Sequence, residues 1–477
     1  MKKNDLSPEA FRFEGKMSLK QALPLGMQHV LAMFVGNLTP LLIITGACGL
    51  AGGEFADLRV TLLQNAMLVA GIVTLVQLYS IGPIGGKVPI IMGTSSGFIG
   101  VFSSVAASMG GGVLAYGAIM GASLIGGLFE TVLGFFLKPL RKLLPSVVTG
   151  TVVLSIGLSL ISVGVNSFGG GNTAQDFGSV ENLLLAIFVL VVILICKHSG
   201  STFLNSSSIL VGIICGYIAA FLMGLVLPTT ALNAEGVAYT KAWVLNWNKV
   251  AEAKWFALPE LMPVKPVFDM RAIAPVMIMF IVTAVETVGD ISGVIMGGMD
   301  REATDTELSG GVICDGIGSS FAALFGVLPN TSFSQNVGLV SMTKVVNRKV
   351  ILSGGLILVL ASFVPAIAEV FNSLPQAVLG GCTIMMFGNI ILSGFQMIAE
   401  AGFTQRNITI AALSLTIGIG FTQVSDIFTQ FPALFQQIFA SNCIAVAFVV
   451  AVILNTVLPS EEHFLSAPKE APAADAE

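Results

Sequence analysis

Residues 329–344 read PNTSFSQNVGLVSMTK, and the reading of this stretch decides the fold. Long apolar segments flank it on both sides, which puts it at membrane depth, yet Asn330, Thr331, Ser332, Ser334, Gln335 and Asn336 crowd its first half. Hydrocarbon offers no partner to a backbone amide or a carboxamide. Irregular polar chain therefore survives at that depth only inside protein or along a wet cavity. The alternative, a polar loop at the membrane surface, needs flanking segments that are further apart. The stretch is a candidate binding site.

Working outward, the chain has 477 residues, of which 55% are hydrophobic and only 10% charged, with a mean hydropathy of +0.90. A soluble protein of this length carries about 25% charged residues, so the expected class is an all-α polytopic membrane protein. The formal net charge of -5 is small and argues against a nucleic-acid partner. Cys48, Cys196, Cys215, Cys314, Cys382 and Cys443 all fall within or beside apolar segments and read as small core residues, not as a disulfide framework. The polar N-terminus runs into a full-length span and is not a cleavable signal peptide. The tail, 459–477, is rich in Ala, Pro and Glu and is expected to be disordered and cytoplasmic.

A spanning helix needs about 20 apolar residues. Such runs fall near 22–47, 60–80, 112–137, 146–166, 181–196, 206–227, 271–296, 309–327, 350–371, 376–398, 407–422 and 437–457. Two shorter pieces, 89–107 and the stretch around Gln335, are interrupted by Gly, Ser and Thr. Counting both gives fourteen membrane-crossing segments. With the N-terminus inside, 16 of the 22 Lys and Arg residues fall on the inner side. That bias puts both termini in the cytoplasm. The loop 228–270 holds Trp243, Trp247 and Trp255 and reads as extracellular.

The chain repeats itself at an offset of about 230 residues. GGL at 126–128 and Phe135 recur at 354–356 and Phe363; LLPSVVTGTVVLSIG, 143–157, resembles SLPQAVLGGCTIMMF, 373–387; Thr94 and Ser95 align with Thr331 and Ser332. Seven segments per half makes the halves opposite in topology. Inverted repeats with paired broken segments point to a secondary transporter whose site lies where those segments meet.

Ionisable residues inside spans are rare and usually functional. Here they are His29 beside Gln28, Glu286, Asp290 and Asp315. Glu286 and Asp290 are four apart and share a helix face; each opposes ionisation of the other, which suits proton coupling. Asp290 also reads as a structural hydrogen-bonding residue, and His29 as a satisfied core histidine. Glu130, near Lys138, reads as a snorkelling residue, and Glu369 and Glu400 as interfacial. A carboxylate accepts N–H bonds and a primary amide both donates and accepts, so Glu286 with Gln335 suits a flat ring with a lactam edge. Phe333 or Phe98 offers a stacking face. No spacing for a metal site, a phosphate loop or a nucleophile is present, so neither an enzyme nor a cofactor is expected.

Residues 335–344, QNVGLVSMTK, resemble the signature of the nucleobase–ascorbate transporter (nucleobase:cation symporter-2) family in Gln335, Asn336, Gly338, Thr343 and Lys344. QH at 28–29, GTSS at 93–96, ETVGD at 286–290 and Asp315-Gly316 follow in the family's order. The resemblance runs from about residue 16 to 458. It implies fourteen segments as a 7+7 inverted repeat, with short β-strands in segments 3 and 10 and the substrate between them. After an N-terminal tail, 1–15, a core domain would comprise 16–142 (segments 1–4) and 271–372 (segments 8–11). A gate domain would comprise 143–227 (segments 5–7) and 373–458 (segments 12–14). Glu286 and Gln335 would bind substrate, with Phe333, Ser95, Ser96, Gly97 and Phe98 lining the pocket. His29, Asp290, Asp315 and Asn336 would support the site or couple it to protons. The family implies proton symport, with sodium as the other option, and a homodimer through the gate domain. Asp290, where uracil carriers have His, and Gln335-Asn336, where they have Glu-Asn, resemble the bacterial xanthine and uric acid branch. GTSSGF departs from the GTSF more usual there. The alternatives are a uracil or other nucleobase symporter, a passive channel, and an anion exchanger of the related sulfate-transporter architecture.

Overall fold

The computed structural model describes residues 7–459 except 139–144, 172–173, 234, 246, 433–434, 437–438 and 440–441. Residues 460–477 of the tail expected at 459–477, residues 1–6, and Arg141 and Lys142 lie outside the described residues. Two helices open the chain, α1 (Leu19–Ala47) and α2 (Ala56–Tyr79), followed by strand β1 (Met92–Thr94), a short helix α3 (Ile99–Ser108) and a long one, α4 (Gly112–Phe135). Then come α5 (Ser146–Ser159), α6 (Ile161–Phe168), α7 (Val180–Lys197) and α8 (Ser208–Val226), and a hairpin of β2 (Thr230–Leu232) and β3 (Ala238–Thr240). The order then recurs: α9 (Met270–Met299), α10 (Asp305–Leu324), β4 (Asn330–Ser332), the short α11 (Ser334–Thr343) and α12 (Arg348–Ala361). After α13 (Pro365–Asn372) the chain ends in α14 (Gln376–Glu400), α15 (Gln405–Gln423) and α16 (Cys443–Val457).

Among the described residues, eight helices are long and apolar enough to cross a membrane, or nine if α12 and α13 count as one broken span. The chain is therefore a multi-pass membrane protein. The sequence read 350–371 as one continuous span; instead α12 and α13 meet at 82°. Pro365 is the cause: it begins α13, where its missing N–H costs nothing, but it could not have continued α12. Helix α10 is less apolar than these spans because it carries Asp305, Glu307, Asp315 and many Gly and Ser residues. At 20 residues it still extends about 30 Å, and its core positions are buried.

The elements of the two halves exchange partners. Helix α4 packs on α9 and α10, and α12 packs on α1 and α2. The α4–α10 crossing is so close that a Cβ at Gly127 would lie 2.5 Å from Gly316 O, and one at Gly316 2.4 Å from Thr131 N. The obstructing atoms are backbone, so no rotamer change relieves them. Gly127→Val is therefore expected to exceed the usual overpacking cost of about 1–3 kcal/mol. Size-exclusion chromatography in detergent should show little monodisperse protein.

Residues 7–17 are not a free tail. Asn347 Nδ2 donates to the carbonyls of Glu9, Arg12 and Gly15 at 2.8, 3.1 and 3.0 Å, and Arg348 pairs with Glu14 at 2.6 Å. The 228–270 loop is likewise bound to the helix ends. Trp243 is fully buried, while Trp247 and Trp255 are exposed.

Candidate substrate site

The site begins with two strands of three residues each. β1 and β4 pair antiparallel, Met92 with Ser332, Gly93 with Thr331 and Thr94 with Asn330. Ser95 N→Pro329 O (2.8 Å) and Phe333 N→Ile91 O (3.0 Å) extend the pairing at either end. A two-stranded ribbon this short cannot stand alone, and helix side chains supply its other hydrogen bonds. Thr74 on α2 accepts from Met92 N at 2.9 Å and donates to Met92 O. Ser319 on α10 treats Asn330 in the same way, accepting from its N and donating to its O at 3.0 Å each. Each half thus holds the first residue of its own strand with one hydroxyl from its second helix. Asn37 on α1 adds a third support: its Oδ1 accepts from Thr94 N at 2.8 Å and Thr94 Oγ1 at 3.0 Å.

Asn37→Leu would leave both Thr94 donors buried without an acceptor, at about 1–3 kcal/mol each. The expected result is a melting midpoint lowered by several degrees. A variant that keeps wild-type stability would show that the ribbon does not depend on this residue.

Three acids on or beside α9 are tied by hydroxyls. Asp290 accepts from Ser332 Oγ at 2.6 Å and Ser334 Oγ at 2.9 Å, so it binds the long helix to both sides of Phe333. Thr287 Oγ1 donates to Asp315, fully buried on α10, and Thr331 Oγ1 lies 3.5 Å from the same carboxylate oxygen. Glu130 does not snorkel: it is 0% exposed and accepts from Thr283 Oγ1 at 3.0 Å. It cannot reach an interface, because α4 is sandwiched against α9 and α10 at that level. Glu369 is buried as well, close to the amide of Asn372, whereas Glu400 is exposed.

A small cavity opens between the ribbon and the helices α5 and α14. Ser96, Gly97, Glu286, Phe333 and Gln335 line it, and so do Thr94, Ser334, Asn389 and Ser393. Glu286 Oε2 is buried without a hydrogen-bond partner. Phe333 is only 5% exposed. Its ring is wedged at Gly36 and Gly93, where an added Cβ would meet it at 2.8 and 2.7 Å.

Thr331 and Ser332 line the cavity as well, whereas Phe98, Ser95 and His29 stand outside this lining. Phe98 is buried with its ring 5.2 Å from Phe102 and 4.8 Å from Phe280, so it is core and offers the cavity no stacking face. Ser95 is buried, its Oγ accepting from Gly97 N at 3.2 Å. His29 meets Asn336: Asn336 Nδ2 lies 3.0 Å from both His29 Nδ1 and His29 O, which joins α11 to α1. Asn37, Thr74, Thr287 and Ser319, which hold the ribbon and Asp315, were not found from sequence. Single hydroxyls and amides in apolar helices give no local pattern. Among the described residues, no group of three or more His, Cys, Asp or Glu side chains is placed to hold a metal ion.

Two broken segments meeting over a cavity, with one wall from the ribbon side and the other from separate helices, is the construction of a membrane transporter. The chain belongs to the nucleobase–ascorbate transporters: the Permease family model (Xan_ur_permease) matches residues 20–427. It is 34% identical to the uric acid permease PucJ of Bacillus subtilis, covering 94% of this chain and 98% of that one. It is 30% identical to the xanthine permease XanP of Escherichia coli, covering 95% of each. Its fold is similar to the transmembrane domain of a cyanobacterium bicarbonate transporter, BicA, with a TM-score of 0.59 at 15% identity, covering 93% of this chain and 99% of that one. The protein is a permease and not an enzyme.

Proposed function

We propose that the protein is a secondary active transporter that imports an oxidised purine nucleobase, xanthine or uric acid, by proton symport with alternating access. The observation that carries this reading is the unpartnered buried oxygen of Glu286 on a cavity shared with Gln335. An acceptor waiting for an N–H, beside an amide that can both donate and accept, suits the lactam edge of an oxidised purine. The names of the relatives point to the same substrates.

Alternating access is supported by the two-sided cavity. One wall belongs to β1, α9, β4 and α11, the other to α5 and α14. These correspond to a core of 16–142 with 271–372 and a gate of 143–227 with 373–458. Each strand can be counted with the helix after it, α5 with α6, and α12 with α13. There are then seven segments before the 228–270 loop and seven after it, which supports a 7+7 inverted repeat. Thr74 and Ser319, acting alike on corresponding strands, support it independently. The placement of Lys and Arg supports a bacterial cytoplasmic membrane protein with both termini inside. The exposed apolar faces of the gate helices, such as Phe188 and Ile195 on α7 and Phe221 and Leu225 on α8, suit lipid and a second copy of the chain.

Uptake of radiolabelled xanthine and urate, in cells lacking carriers of their own, tests the proposal. Accumulation above the outside concentration, abolished by a protonophore and indifferent to sodium, is the expected result. Equilibration without accumulation would make the protein a channel, and stronger uptake of uracil would move the substrate assignment.

A further inference from the structure

We propose that Lys197 and Asn389 form the carbonyl-recognising wall of the cavity: Lys197 fixes the amide of Asn389 so that its N–H donors serve the substrate. The inference rests on the purine-carrier reading above and adds a polar contact on the wall opposite Glu286 and Gln335.

Lys197 is the last residue of α7, and Asn389 lies midway along α14. Lys197 Nζ donates to Asn389 Oδ1 at 2.9 Å, and Asn389 itself lines the cavity. In the sequence Lys197 falls just past the apolar run 181–196. Among the described residues, it is the basic side chain whose hydrogen bond reaches a cavity-lining side chain. An ammonium can only donate. Turning the amide over would set N–H donors against N–H donors, so the oxygen stays with the lysine. Nδ2 has no protein partner among the described residues. What Asn389 offers the cavity is therefore a donor, polarised by a positive charge one amide away. Ser393, one turn further on and also lining the cavity, donates its hydroxyl to Asn389 O at 3.1 Å and does not compete for Nδ2.

Glu286, on the other side of the cavity, can only accept when ionised. The two walls are thus complementary in sense: acceptor on the helix of the ribbon side, donor on α14. A ring that carries both N–H and C=O bridges them, N–H to Glu286 and C=O to Asn389. A heterocycle without the carbonyl engages one wall only. Lys197 is a positioning residue in this arrangement, and Asn389 makes the contact.

The test is saturation kinetics of xanthine uptake, with the amount of protein in the membrane measured alongside. Asn389→Asp keeps the shape and the acceptor for Lys197 but loses both N–H donors. Its KM should rise at least about tenfold, with the maximal rate changed less than about twofold. Lys197→Met lets the amide turn and should raise KM about threefold, and Lys197→Arg should restore it. Xanthine analogues with one ring carbonyl replaced by C–H supply the specificity readout. One of them should compete poorly against the wild type yet as well as xanthine against Asn389→Asp. Unchanged KM in both Asn389→Asp and Lys197→Met, or a fall in maximal rate alone, overturns the inference and leaves the purine reading standing. Failure of the wild type to take up any oxidised purine overturns both.

Discussion

Glu286→Gln is expected to abolish concentrative uptake while leaving the protein in the membrane in normal amount. Glu286 Oε2 has no protein partner, so the substitution breaks no internal bond at that oxygen and preserves the side chain's shape. What disappears is the charge. A hydrogen bond to an ionised acceptor contributes about 1.5–3 kcal/mol, which corresponds to roughly 10–150-fold in affinity. On the proposed symport reading, in which Glu286 both binds substrate and takes part in coupling, KM and rate change together and the expected combined loss in uptake efficiency is at least about 100-fold. Labelled uptake with an immunoblot of the membrane fraction checks it. Wild-type-like transport would remove Glu286 from the binding role.

Asp290→Ala is expected to be nearly as severe, for a different reason. Asp290 accepts from Ser332 and Ser334, which flank Phe333 and precede Gln335. It therefore fixes the broken segment against the helix that carries Glu286. Alanine leaves two hydroxyls without their acceptor and frees the junction between β4 and α11, at about 2–4 kcal/mol in all. Uptake should fall by more than about tenfold, and the melting midpoint by several degrees. Asp290→Asn retains an oxygen with two lone pairs for the same serines and should keep most of the stability and some uptake. A stable Asp290→Asn protein with no transport would assign the residue to proton coupling instead of clamping.

Much of this was legible in the sequence because hydrocarbon is so intolerant. Polar residues at 93–97 and 330–336 stand out against apolar flanks, and an acid such as Glu286 within a span is conspicuous at once. The helices were legible from apolar run length. The angle between α12 and α13 was not, because a run of apolar residues does not register where a proline starts a new helix. Phe98 was misplaced because an aromatic side chain beside a polar stretch has the same composition whether it faces the cavity or packs on Phe280. Glu130 was misplaced because its nearness to Lys138 in sequence says nothing of α10 closing over it. Lys197 and Asn389 are 192 residues apart in the chain, and only the packing of α7 on α14 brings them together.

The exchange of partners between the halves has a consequence for synthesis. When the ribosome has inserted α4, the helices it packs against, α9 and α10, have not been made. Some 190 residues separate the end of α4 from the end of α10; at about 5–20 residues per second their synthesis takes on the order of 10–40 s. For that interval Glu130 and the small-residue face of α4 sit in the bilayer without their mates. Nascent first halves should therefore be the form on which insertion factors and membrane proteases act, and severing the chain within 228–270 should yield two fragments that persist only when made together.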